Sequence, residues 1–98
     1  MARHLLLWKM ANARTPVDTR ERSASWGALL TMIENDLERG VLKDWGAFPG
    51  EGKGYLVFEG SNLELMKMTS QYNPYVMFET HPVANILEVK DFIKSLSK

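Results

Sequence analysis

The sequence contains no cysteine. Disulfide cross-links, thiolate zinc sites and thiol nucleophiles are excluded together. It also has no excess of either charge: twelve Lys and Arg balance twelve Asp and Glu. Such a chain offers no global field to nucleic acid or to an anionic membrane. Long apolar runs are missing too. The first, Leu5-Leu6-Leu7-Trp8, ends at Lys9, too short for a signal-peptide core or a membrane span. These absences predict a cytoplasmic protein with neither a membrane nor a nucleic acid as partner.

What remains is enough for one domain, residues 1–98, with 45% apolar and 24% charged residues. A domain of this size buries only about 60–65% of its unfolded surface, so a partner subunit would add stability.

"HLLLWKM" (4–10) is a nearly continuous apolar run, as in a strand covered on both faces. Asp18 and Glu21 then open a helix over roughly 19–39, with Trp26, Leu29, Leu30, Ile33 and Leu37 as its apolar stripe and Gly40 as its stop. "VLKDWGAFP" (41–49) and "KGYLVFEG" (53–60) read as two strands. Ser61 and Glu64 form a capping box for a second helix carrying Leu63, Leu65, Met66, Met68 and Tyr72. "NPY" (73–75) turns the chain into a strand over 75–84, and Asn85 with Glu88 opens a final amphipathic helix. The order β-α-β-β-α-β plus a helix predicts an α+β, ferredoxin-like fold with an antiparallel sheet of order 4-1-3-2. Pro82 suits an edge strand, where a missing donor is tolerated. Leu5 and Leu7 alternate with Leu6 and Trp8, so both faces of the sheet need cover. Helices supply one cover, and the sheet of a second subunit is expected to supply the other.

The glycine-rich "WGAFPGEGKGYLVFEG" (45–60) resembles a phosphate loop only superficially. G-x-x-x-x-G-K-[ST] would need glycine where Ala47 stands and a hydroxyl where Gly54 stands. A dinucleotide G-x-G-x-x-G fails at Tyr55. A strand follows the run, so no helix N-terminus faces an anion. The glycines are expected to supply positive φ angles in a strand-to-strand turn.

Three segments carry a family resemblance: "TPVDTRERSASW", "GVLKDWGAFPGEGKGYLVFEGS" and "YNPYVMFETHPV". Through them the chain resembles the dimeric α/β-barrel superfamily of ferredoxin-like proteins, and within it a small family without a characterised function. "NPYVMFE" is also distantly similar to the last-strand segment of muconolactone isomerases. The resemblance implies a homodimer whose sheets pack face to face, with a cleft between each sheet and its helices. Superfamily members include cofactor-independent isomerases, monooxygenases and dehydratases beside proteins with no known activity. No catalytic motif carries over residue by residue.

At one end of the sheet the topology gathers Trp8, Asn12, Arg14, Phe48, Lys53, Tyr55, Tyr72, Asn73 and Tyr75. Trp8, Tyr55 and Tyr72 are candidate walls of an aromatic pocket, and Arg14 would pair with an anionic ligand through its guanidinium. The other reading is that the aromatics fill core and Arg14 is solvated. At the far end lie His4 and His81, expected to approach each other. Glu79 and His81, two apart on a strand, share a face and are the candidate acid–base pair for proton transfer. Their spacing matches no metal motif, and no metal or other cofactor is expected. The methionines read as core filler; Trp26 and Trp45 are candidates to stack a ligand, with packing the other reading for Trp26 on its helix's apolar stripe; Ser23 and Ser25 lack a nucleophile elbow.

Two classes of function stay open. One is a cofactor-independent enzyme acting on a small organic molecule in the sheet–helix cleft through His81 or Glu79. The other is a non-catalytic small-ligand-binding or structural oligomerisation protein.

Overall fold

The structure, a computed structural model, describes residues 2–11 and 18–97. In chain order these form β1 (Arg3–Met10), α1 (Thr19–Glu38), β2 (Leu42–Phe48), β3 (Lys53–Glu59), α2 (Asn62–Ser70), β4 (Val76–Val83) and α3 (Ile86–Ser95). Each helix begins where a short polar side chain can take up free backbone donors. Asp18 accepts the Glu21 N–H at 3.1 Å. Ser61 with Glu64, and Asn85 with Glu88, close full capping boxes.

The four strands make one antiparallel sheet with neighbours β2-β3-β1-β4, an order compatible with a ferredoxin-like arrangement. Read from the β4 edge it runs 4-1-3-2. β1 and β3 are central, and Pro82 lies on an edge strand. Leu6 stands opposite Leu56 and Thr80, and Trp8 opposite Gly54 and Phe78. Strand alternation therefore sends His4, Leu6, Trp8, Leu56 and Phe58 to the inner face, where Leu29 of α1 and Leu65 and Met68 of α2 complete the core. The outer face receives Leu5, Leu7, Tyr55 and Val57, all only half-buried, with Met77, Glu79 and His81 exposed beside them.

One residue breaks the alternation in β2. Leu42 pairs with Phe58, yet Asp44 pairs with Val57 and Trp45 with Leu56, so Lys43 is the extra residue of a β-bulge. Without it Trp45 would point outward. With it Trp45 turns toward the helices and Asp44 to the outer face.

The hairpin glycines divide their work. Gly50 and Gly52 have φ of +80° and +62°, as a tight connection requires. Gly54 lies in regular β3, where a Cβ would run into the Trp8 ring and the Gly46 carbonyl. Its role is close approach, not a turn.

The expected stripe of α1 is only partly used. Leu29 is buried, whereas Trp26 and Leu30 remain exposed where they line a cavity between this helix and the sheet, and Leu37 is exposed as well. α3 departs furthest from a globular arrangement. None of its side chains is buried. The chain measures 61 × 26 × 19 Å with a radius of gyration of 16.4 Å, against about 13 Å for a compact domain of this length.

His4 and His81 do not meet. His4 faces inward opposite Pro82, while His81 faces outward opposite Leu5. Alternation along β1 and β4 puts the two imidazoles on opposite sides of the sheet. His4 is 7% exposed, beside Phe58, and neither ring nitrogen has a hydrogen-bond partner among the described residues. Burying unpaired polar atoms is costly. Replacing His4→Leu should therefore raise stability by about 1 kcal/mol, read as a higher urea midpoint with an unchanged slope. A lower midpoint would show that the imidazole finds partners in solution.

Candidate functional site

Between α1 and the inner face of the sheet lies a cavity of about 270 Å³. Its floor is built by Trp8. Because Gly54 has no side chain, the Trp8 indole lies across β3, and its Nε1–H donates to the Gly46 carbonyl of β2 at 3.1 Å. Trp45, turned inward by the bulge, stacks on it with ring centroids 5.5 Å apart and planes 4° from parallel. Trp26, Leu29, Leu30 and Ile33 of α1 form the roof, and Met10, Tyr72, Val76 and Phe78 the end wall. At the roof's edge the Arg22 guanidinium sits over the Trp26 ring, 5.6 Å from its centroid.

The polar groups in this wall are already engaged. Trp8 has spent its N–H on Gly46. Tyr72 packs edge-on to Phe78 and donates its hydroxyl to Asp36 Oδ2 at 2.8 Å. Asp36 is 2% exposed, and its other oxygen lies 4.0 Å from Arg39. Burial, the hydrogen bond to Asp36 and that carboxylate's charge, in that order, raise the Tyr72 pKa above the ordinary tyrosine range. The phenol thus stays protonated. A cavity walled by rings and aliphatic chains, with its few polar groups satisfied, suits an apolar, flat guest. An engineered apolar cavity of about 150 Å³ accommodates benzene, so the space here admits a larger aromatic molecule.

The structure divides the residues proposed from the sequence. Trp8 and Tyr72 line the cavity. Tyr55 does not: it pairs with Leu7, lies on the outer face over Gly46, and donates its hydroxyl to Asp44 Oδ2 at 2.8 Å. That bond is the first cause of the raised Tyr55 pKa, ahead of burial and the Asp44 charge. Phe48 and Lys53 are also on the outer face, beside a hollow that Leu7, Lys9, Met77 and Glu79 help to line. Arg14 and Asn12 lie outside the described residues. Glu79 and His81 share the outer face of β4, as two residues apart on a strand require, with His81 Nε2 3.3 Å from Glu79 Oε2. Both are exposed, and the sheet separates them from the cavity. Among the described residues no group of three His, Asp or Glu side chains is placed to hold a metal ion.

Trp26 and Trp45 line the cavity; the sequence did not place Trp45 on the inner face or single out Asp36, which accepts the Tyr72 hydroxyl. Asp36 carried a signal, a carboxylate between Ile33 and Leu37 on the helix's apolar side. Trp45 had a weaker one, the spacing of three between Leu42 and Trp45 where a regular strand keeps spacings of two.

No protein-family model matches the chain, and a search among curated proteins finds no match. These comparisons show no similarity to dimeric α/β-barrel proteins or to muconolactone isomerases; the sheet order is compatible with a ferredoxin-like arrangement. No helix among the described residues is long and apolar enough to cross a membrane.

The Tyr72–Asp36 bond has a measurable signature. Tyr72→Phe should cost about 2 kcal/mol, because it strands a buried carboxylate. A raised phenol pKa stabilises the fold below the unfolded value near 10 and loses that contribution as pH climbs past it. Wild-type stability should accordingly fall more steeply than that of the variant above about pH 10, in urea titrations at stepped pH.

Proposed function

We propose that the chain acts as a cytoplasmic homodimer of the dimeric α/β-barrel type that binds a small apolar, aromatic molecule in the cleft between α1 and the sheet. The observation that carries this reading is the cavity itself, with its stacked Trp8–Trp45 floor and, among the described residues that line it, polar side chains already engaged. Such a site binds by shape and apolar burial. Among the described residues that line it none is placed as an acid or base for proton transfer, Glu79 and His81 lying on the other face of the sheet, and this supports the small-ligand-binding member of the two classes for the cleft.

Naphthalene and indole are suitable probes. Calorimetric titration should give one site per chain. Ala47 lines the cavity yet is exposed, so Ala47→Phe fills the mouth without disturbing the core. It should weaken binding at least about tenfold and leave the urea midpoint unchanged. Equal binding by wild type and variant would overturn this assignment.

One observation favours a second, enzymatic reading: the 3.3 Å His81–Glu79 pair beside the outer hollow that Glu79 helps to line. There an imidazole and a carboxylate can pass a proton to or from a small organic substrate, as isomerase or dehydratase chemistry requires. Its mark would be a turnover abolished by His81→Ala and spared by Ala47→Phe. The reverse pattern would move the chemistry to the cleft.

A further inference from the structure

Arg22 precedes Trp26 by one turn of α1 and is half-buried. Its guanidinium sits over the Trp26 ring, 5.6 Å from the centroid. Among the described residues no carboxylate lies within ion-pair distance of it, and no acceptor takes a hydrogen bond from its side chain. Asp18, one turn back, accepts the Glu21 N–H instead. An arginine presents five N–H donors in a rigid fork. Here contact with an indole face holds the fork in place and leaves its donors to solvent or to a guest.

Chain direction puts Arg22 at the open side of the cavity. β1 ends at Met10, whose N–H donates to the Gly52 carbonyl in the β2–β3 hairpin. The other end of α1 leads through Gly40 and Val41 into β2 at Leu42, opposite Phe58 and away from that hairpin. Passing along the roof from Ile33 to Trp26 therefore leads toward the hairpin, and Arg22 lies one turn further on. At this side stand Ala47 and Gly52, wall residues that are exposed, as is Trp26. Leu29, Leu56 and Tyr72, by contrast, are buried.

We propose that the guest of the cleft is an aromatic carboxylate, with its ring in the chamber and its carboxylate at the rim on Arg22. The proposal rests on the cleft reading above and adds the charged end of the ligand. The two halves of such a molecule match the two parts of the site. Within the chamber the described side chains are apolar or have their polar atoms engaged, so a buried charge would go unpaired at high cost. At the rim an ionised group keeps part of its hydration and gains a guanidinium whose planar fork fits both carboxylate oxygens. Asp18, Glu21 and Glu51, the acidic groups of the helix start and the hairpin turn, are exposed, and water weakens their repulsion of such a guest. The buried ring supplies affinity, and Arg22 fixes which end faces out.

Naphthalene and 2-naphthoate, titrated by calorimetry, separate the two contributions. Wild type should bind 2-naphthoate at least about tenfold more tightly than naphthalene. Raising NaCl from about 50 to about 500 mM should weaken naphthoate binding and spare naphthalene. Arg22→Met keeps an unbranched apolar chain on Trp26 and removes the fork. It should lower naphthoate affinity at least about tenfold and leave naphthalene within about twofold. A wild type that binds naphthalene with no preference for naphthoate would overturn the carboxylate and leave the cleft standing. So would an Arg22→Met variant that loses both probes equally, since Arg22 would then only hold Trp26 in place. If the wild type binds neither probe, the cleft and the carboxylate fall together.

Discussion

The cleft depends on one extra residue in β2. Lys43 offsets the strand against β3 so that Leu42 and Trp45, three apart, both face the helices. Trp45 thereby reaches the Trp8 ring, and Asp44 is delivered to the opposite face, within reach of Tyr55. A regular strand would have exchanged them, burying a carboxylate and exposing an indole. Bulges re-aim side chains in this way at the cost of one unpaired residue. Here the offset divides a polar contact from an apolar chamber within two consecutive residues.

Gly54 is the counterpart of the bulge on β3. It stands opposite Trp8 in the register, and its missing side chain lets an indole lie flat across the strand to the Gly46 carbonyl. In the glycine-rich segment between β2 and β3 the natural inference is turns, and Gly50 and Gly52 fulfil it. Gly54 belongs to a different physical category, the glycine that makes room for a neighbour's ring.

The fold was legible where local rules act. The three helix starts at Asp18, Ser61 and Asn85 followed from side chains that accept a backbone N–H three residues on, and the strand bounds from apolar runs and glycine. The site was less legible because it depends on pairing. Trp8 and Tyr55 look like neighbours in a map of sheet ends, yet Tyr55 is registered with Leu7 and therefore points the other way. The separation of His4 from His81 has the same origin. A shift of one position in register exchanges the faces, and neither the register nor the bulge is written in any one segment. Asp36 was hidden for another reason: its partner, Tyr72, lies 36 residues away.

The parallel indoles of Trp8 and Trp45 have an optical consequence. Two identical chromophores at 5.5 Å and 4° couple their excited states instead of absorbing independently, and wherever the two rings are rotated relative to each other within their planes the coupled transition gives a signed, paired band in circular dichroism. A molecule entering between floor and roof would perturb the coupled transition directly. The chamber therefore carries a built-in reporter of its own occupancy, readable without any label.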